Sequence, residues 1–458
     1  MSGSLPGAIR TTHLCSDAMK RIVGALVAAS CLMVAIDATE ASAPVASLSS
    51  AARATALARS ARTLTDVVRV YQAGTLSLDV YARATNAAVL GSGSWAITRN
   101  VSVPMSRVMR GSVVVQQPEI AGFRFPMATT VLPAEAIAAL MGRDVAAVVA
   151  QGRVVMAAIT ANQRGAKVGD TIDLEGAAGN IVTLTIGMLA DDALVGGTEL
   201  LLNTVQGDQL GIVDPGGIVI WGFPTRAGID AGLVAQGLDP RADTRIRRSW
   251  DPFDPDYTLS TSETKVYFGE FAYKVRTNGF EVDVTPTWEA THLPAERELY
   301  PTGIRARCNN TVRADLLAAL AEVVAAGLSD KIEVTNTNTY GGCYYPRFAR
   351  YSGALGFLSR HSWGSPLDTN TVSNAQGSVP QMDCTVVRIF RKHNYAWGGN
   401  FLRADGMHFE WVGERRDLYQ YPSKYCPNLP ISTAQAEPTT LRTSRSMLFH
   451  DAGWSGDE

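Results

Sequence analysis

The sequence predicts a multidomain chain: a β-rich middle domain, then a C-terminal α+β domain built on a small antiparallel sheet. Three observations lead there. Between about Gly91 and Leu238, short β-branched runs such as "NIVTLTIGML" and "GGIVIWG" alternate with turn signals such as "KVGD" and "EGAAGN". Beyond Cys308, a run with helical spacing, "VRADLLAALAEVVAAGLS", shares its region with the alternating, strand-like "MHFEW". The bulk numbers agree: 458 residues with 46% hydrophobic and 18% charged content support sizeable cores, and 41 glycines with 21 prolines supply turns. A formal net charge of −2 gives no electrostatic basis for a nucleic-acid partner.

At the N-terminus, Lys20 and Arg21 precede an uncharged run from Ile22 to Ile36, and "ASA" at Ala41–Ala43 is followed by Pro44. A basic flank, a short apolar core and a small-x-small triplet form an export signal, either cleaved or kept as a membrane anchor. The run is shorter than the roughly 20 residues a span needs. Either outcome places the rest of the chain outside the cytoplasm. From Pro44 to about Ala87 the chain is Ala- and Arg-rich, and "LTDVVRVYQAG", ending at Gly74, reads as a helix within a linker. In the β-rich region "GSVVVQQ" and "VVMAAIT" are further strands, and "PAEAIAALMG" is a helix. "RRSWDPFDPDYTLSTSE", Arg247–Glu263, reads as an interdomain boundary, and "KVYFGEFAYKV" and "FEVDVTPTW" follow as strand-like stretches. The expected divisions are 1–43 leader, 44–90 helical linker, 91–245 β-rich domain, 246–300 boundary and strand-rich connector, 301–426 C-terminal domain, and 427–458 loose tail.

Cys15 and Cys31 belong to the leader, whereas Cys308, Cys343, Cys384 and Cys426 all fall in the C-terminal third. An even number in one exported region reads as two disulfides, whose pairing sequence leaves open. None of the four stands in a CxxC pair, which argues against a thiolate metal site.

Chemistry concentrates in two stretches. In "SRHSWGSPLD", Gly364 and Pro366 interrupt any helix between His361 and Asp368, so a turn leading into a short strand is expected. In "DGMHFEW", His408 and Glu410 point to one side of a strand and Phe409 and Trp411 to the other, with Asp405 and Gly406 as the preceding turn. A lone histidine is ordinarily a hydrogen-bonded core residue. Two histidines and an aspartate, His361, Asp368 and His408, make a three-ligand zinc site with the fourth position left for water. Zinc lowers the pKa of that water to about 7 and polarises a carbonyl, and Asp405 is placed to take its proton. Glu410 is expected to support His408 from behind rather than to be a ligand.

These stretches, with "YAWGGNFLRADGMHFEW", resemble the zinc D-alanyl-D-alanine carboxypeptidase and L-alanyl-D-glutamate endopeptidase family (VanY-like and endolysin-like). The shared pattern is carried by Ser359, His361, Gly364 and Asp368, then Trp397, Gly398 and Gly399, then Asp405, His408, Phe409 and Glu410, within roughly Cys308–Glu414. The resemblance implies a zinc peptidase domain holding one zinc per chain on His361, Asp368 and His408, with Asp405 as the catalytic acid/base. It also implies an upstream arginine that holds a substrate carboxylate, for which "YYPRFAR" offers Arg347 ahead of Arg350. Proline in "GSPLD" and the "YYPR" sequence depart from many relatives. The substrates implied are peptidoglycan stem peptides. In the middle region, "GAKVGDTIDLEGAAGNIVTLTIG" and "VGGTELLL" resemble the extracytoplasmic domain of MacB- and FtsX-type permeases. That implies a module binding an envelope partner rather than transport. The alternative function is a non-catalytic envelope scaffold or sensor that retains the peptidase fold.

Overall fold

A computed structural model describes residues 65–251, 258–336, 342–349, 355–418 and 423–429. The expected leader, Arg350 and the polar tail beyond 429 lie outside the described residues. Ten strands occupy the first half: β1 (Val67–Gln72), β2 (Ser94–Arg110), β3 (Val113–Gln116), β4 (Phe125–Val131), β5 (Val154–Ala157), β6 (Thr171–Glu175), β7 (Ile181–Ala190), β8 (Leu200–Leu202), β9 (Gly217–Trp221) and β10 (Thr244–Arg248). They form one sheet in the order β10-β1-β9-β2-β4-β8-β5-β7-β6, with β3 paired to β2 off this path, and a β2–β6 pairing closes six of them into a barrel. The length of β2 makes this possible. Its first residues pair with β9, its middle with β4 and its end with β6. Inward Val103, Met105, Met127, Ile172, Leu174 and Ile186 are fully buried and fill the barrel.

The stretch "LTDVVRVYQAG", read above as helical, forms strand β1 instead. Its valines and tyrosine are buried on both faces, because β1 lies between β9 and β10. A β-branched run buried on both faces loses the alternation that marks a half-exposed strand. The helix of this region is the next segment, Leu78–Leu90, capped by Ser77. A second correction concerns "KVYFGEFAYKV". Lys265–Phe268 belong to the helix Thr261–Phe268, started by a Ser260–Glu263 capping box. Only Tyr273–Val275 (β11) is strand, paired with β12 (Val282–Val284). "VVMAAIT" likewise is strand only to Ala157 and continues as the helix Ala158–Arg164.

After the short pair β13 (Glu298–Leu299) and β14 (Arg305–Ala306), the C-terminal region carries the helices Arg313–Ala325 and Cys384–Lys392. They accompany an antiparallel sheet in the order β15 (Pro366–Asp368), β17 (His408–Trp411), β16 (Tyr395–Trp397). Phe409 of β17 turns inward and stacks on Phe390 with ring centroids 4.3 Å apart. Burying such a ring contributes about 1.5–3 kcal/mol. Two disulfides close the region, Cys308–Cys343 and Cys384–Cys426. The region is thus α+β with a small antiparallel sheet, as expected. Among the described residues no helix is long and apolar enough to cross a membrane.

Candidate metal centre

The turn carrying His361 is built by its neighbours. Ser359 caps the 3-10 turn Arg360–Trp363 by accepting the His361 N–H at 3.2 Å. Gly364 ends it in the left-handed region at φ 66°, where a side chain would also crowd Leu293 and the Asn309 main chain. The chain then enters β15, so the imidazole stands before the turn and Asp368 after it. In the register of β15 and β17, Asp368 lies directly opposite His408, which puts both side chains on one face.

The ligand atoms of His361, Asp368 and His408 all lie within 4.8 Å of one another. His361 Nε2 is 3.1 Å from Asp368 Oδ2, and His408 Nδ1 is 3.0 Å from Asp368 Oδ1. Ligands bonded at 2.0–2.2 Å in a tetrahedron stand roughly 3.3–3.6 Å apart, and the two contacts to Asp368 lie close to that spacing. The remaining ring nitrogens fit too. His361 Nδ1 is held by the Cys343 carbonyl at 2.6 Å, and His408 Nε2 lies 3.3 Å from Glu410 Oε2. Each imidazole therefore has one nitrogen anchored from behind and the other aimed at Asp368, the arrangement that fixes a ligand's tautomer. His361 and His408 are buried, and Asp368 is the more open member. Burial pushes the Asp368 carboxyl up, but the two imidazoles outweigh it and hold the group well below the usual carboxylate range. These three residues can hold a metal ion.

Asp405 begins the turn into β17: its carbonyl accepts the His408 N–H at 3.2 Å, and its own N–H donates to the Gly398 carbonyl at 2.8 Å. The "WGG" stretch makes this possible. Trp397 is buried and donates Nε1–H to the Gly406 carbonyl at 3.0 Å. A Cβ on Gly398 would meet the Asp405 oxygen at 2.6 Å and the His408 Cβ at 3.1 Å. Trp397 and Gly398 are therefore the mould of the Asp405 turn. Asp405 is itself buried, at 4% exposure.

Arg347 is also buried, its guanidinium 5.7 Å from the rings of both Phe280 and Tyr345 and donating to the Phe348 carbonyl at 3.1 Å. Its main chain braces the His361 turn, through Ser362 Oγ at 3.1 Å and the Ser359 N–H at 2.9 Å. Tyr345 donates its N–H to the His361 carbonyl at 3.0 Å. A cavity of about 430 Å³ lies beside this segment, lined by Phe123, Val282, Tyr344 and Tyr345, and none of His361, Asp368 and His408 borders it. The structure thus gathers His361, Asp368 and His408, sets the Asp405 main chain against His408, and ties Arg347 to the same turn through its backbone.

Residues 352–411 match the family model of the D-alanyl-D-alanine carboxypeptidases. The matched stretch contains His361, Asp368, Asp405 and His408, and it supports peptidase activity in general. It lends no support to the permease-type resemblance of the middle region. No curated protein matches the chain.

Two contributors escape sequence reasoning. The Cys343 carbonyl that holds His361 belongs to the backbone and leaves no trace in residue type. Arg360, inside the motif but not one of its defining residues, places its Nε 3.5 Å from Glu410 Oε1, with both side chains almost wholly buried. Its position next to His361 was the available signal. The other histidines among the described residues are accounted for by structure: His292 stacks on Trp288, and His393 pairs with Glu322 at 2.8 Å.

Proposed function

We propose that the chain is a zinc metallopeptidase that cuts peptidoglycan stem peptides outside the cytoplasm, as a D,D-carboxypeptidase or an L-alanyl-D-glutamate endopeptidase. The convergence of His361, Asp368 and His408, each imidazole anchored by its second nitrogen, carries this reading. The family match to residues 352–411 supports it. His361 would bind through Nε2, His408 through Nδ1 and Asp368 through its carboxylate. A zinc ion there supplies Lewis acidity that acidifies water and polarises an amide carbonyl. Asp405 accepts the proton of the attacking water and returns it to the leaving amine nitrogen, completing hydrolysis to a carboxylate and an amine. Arg347 faces the substrate's carboxylate, and the β-rich domain positions the enzyme at the envelope, contacting a partner there.

The test is digestion of purified muropeptides by the full chain, followed by mass spectrometry. Loss of a terminal D-alanine, or cleavage between L-alanine and D-glutamate, is expected, abolished by a chelator and restored by zinc. Tight zinc binding with every wall peptide left intact would overturn the peptidase and favour a scaffold or sensor.

A further inference from the structure

We propose that Arg360 is a positioning residue for His408, acting through Glu410, and that it ties the metal centre to the β-rich domain. The inference rests on the metallopeptidase reading in that a metal must sit on the triad. Arg360 and Glu410 have side-chain exposures of 4% and 1%, with Nε and Oε1 3.5 Å apart. A carboxylate in such surroundings is costly unless a counter-charge holds it. The other oxygen of Glu410 lies 3.3 Å from His408 Nε2. A carboxylate kept in place there accepts a hydrogen bond from Nε2–H and leaves His408 Nδ1 turned to Asp368, 3.0 Å away.

The guanidinium is in turn fixed from outside the sheet. Arg360 Nη2 donates to the Leu259 carbonyl at 2.7 Å. Leu259 immediately precedes Ser260, the cap of the helix Thr261–Phe268. That helix is pinned into the barrel by Lys265, whose Nζ lies 2.9 Å from both carboxylate oxygens of Glu199. The helix therefore links Glu199, which immediately precedes β8, through Lys265 at its middle to Leu259 at its start, and from there contacts run through Arg360 and Glu410 to His408.

Arg360→Gln, Glu410→Gln and the double variant, made in the full chain, separate this role from simple packing. Three readouts are needed: zinc affinity by competition with a chromophoric chelator, the visible spectrum of the cobalt(II)-loaded protein, and the melting temperature of the metal-free protein. Each single variant is expected to weaken zinc binding by about 10- to 100-fold and to alter the cobalt spectrum, as loss of an outer-shell partner does elsewhere. The double variant should be no weaker than Glu410→Gln alone, because Arg360 acts through Glu410. Arg360→Lys, which keeps the charge, should recover part of the affinity; it also carries the test if Arg360→Gln does not fold. The proposal is overturned if the variants shift only the melting temperature, or if the two losses multiply in the double variant. Absence of zinc binding by the unaltered chain would overturn both this relay and the metallopeptidase reading. Unaltered zinc binding by the variants would overturn the relay alone.

Discussion

At the scale of single residues, the two side chains with the sharpest expected effects are Asp405 and Asp192. Asp405→Asn keeps the size of the side chain and removes its basicity, so turnover should fall by about 10²- to 10⁴-fold. Bound zinc, measured by atomic absorption, should stay at one per chain; loss of the metal would move Asp405 from the chemistry to the scaffold. Asp192 lies far from that site in sequence, and burial, with Glu263 and Glu199 adding, pushes its carboxyl up to about 6 against the pull of the Ile159 N–H. Its folded value exceeds the unfolded one, so the folded chain holds a proton that the unfolded chain has released. The resulting stability is fully present below about pH 4 and is lost as pH rises through about 6. Asp192→Asn should therefore raise stability by about 1–2 kcal/mol at neutral pH, and the gain should vanish towards pH 4 in urea titrations. The three converging residues, His361, Asp368 and His408, were legible in the sequence because imidazole and carboxylate side chains at fixed spacing are rare. The Cys343 carbonyl was not, since every residue has one.

At the scale of elements, the Asp405 turn depends on a glycine. Gly398→Ala would drive a methyl group into the Asp405 carbonyl and the His408 Cβ. Overpacking of this kind costs about 1–3 kcal/mol. Activity is expected to fall far more than stability does, which parallel assays of turnover and thermal melting would check; equal activity in the variant would show that the turn accommodates the methyl. The two stretches around the site were readable as elements because their signals are local: a glycine–proline break in "WGSPLD" and strict alternation in "HFEW". Strand β1 was misread because burial on both faces erases alternation, and the valine run then competes with helical spacing. The helix Thr261–Phe268 has a local signal, since Ser260 and Glu263 spell a capping box, but it stands at the end of a stretch whose prolines and aspartates read as an interdomain boundary.

At the scale of the whole molecule, the barrel and the C-terminal region are joined by charges rather than by a linker alone. Lys265 and Glu199 meet with both side chains fully buried, beside the partly exposed Glu270, Nζ standing 2.9 Å from Glu199 and 2.8 Å from Glu270. Lys265→Met would leave Arg164, hydrogen-bonded to Glu270, as the counter-charge of both carboxylates, and removing one partner of such a buried network costs up to about 3–5 kcal/mol. The urea midpoint of the full chain should drop accordingly; an unchanged midpoint would show that Arg164, 3.8 Å from Glu199, suffices as counter-charge. A second tie runs from β10, whose Arg245 donates to the Asn400 carbonyl at 3.0 Å, next to the glycines that shape the Asp405 turn.

The residue types of the candidate metal centre, the turn and strand that present them, and the β-rich texture of the middle region were determined by the sequence alone, because side-chain chemistry and nearest-neighbour geometry are local properties. Tertiary structure decided the rest: the pairing of Cys308 with Cys343 and of Cys384 with Cys426, the closing of the barrel by β2 and β6, and the contact of Arg360 with Glu410. Each of these joins positions far apart along the chain or on different elements. Such partners are selected by the packing of the whole molecule, which no short stretch of residues encodes.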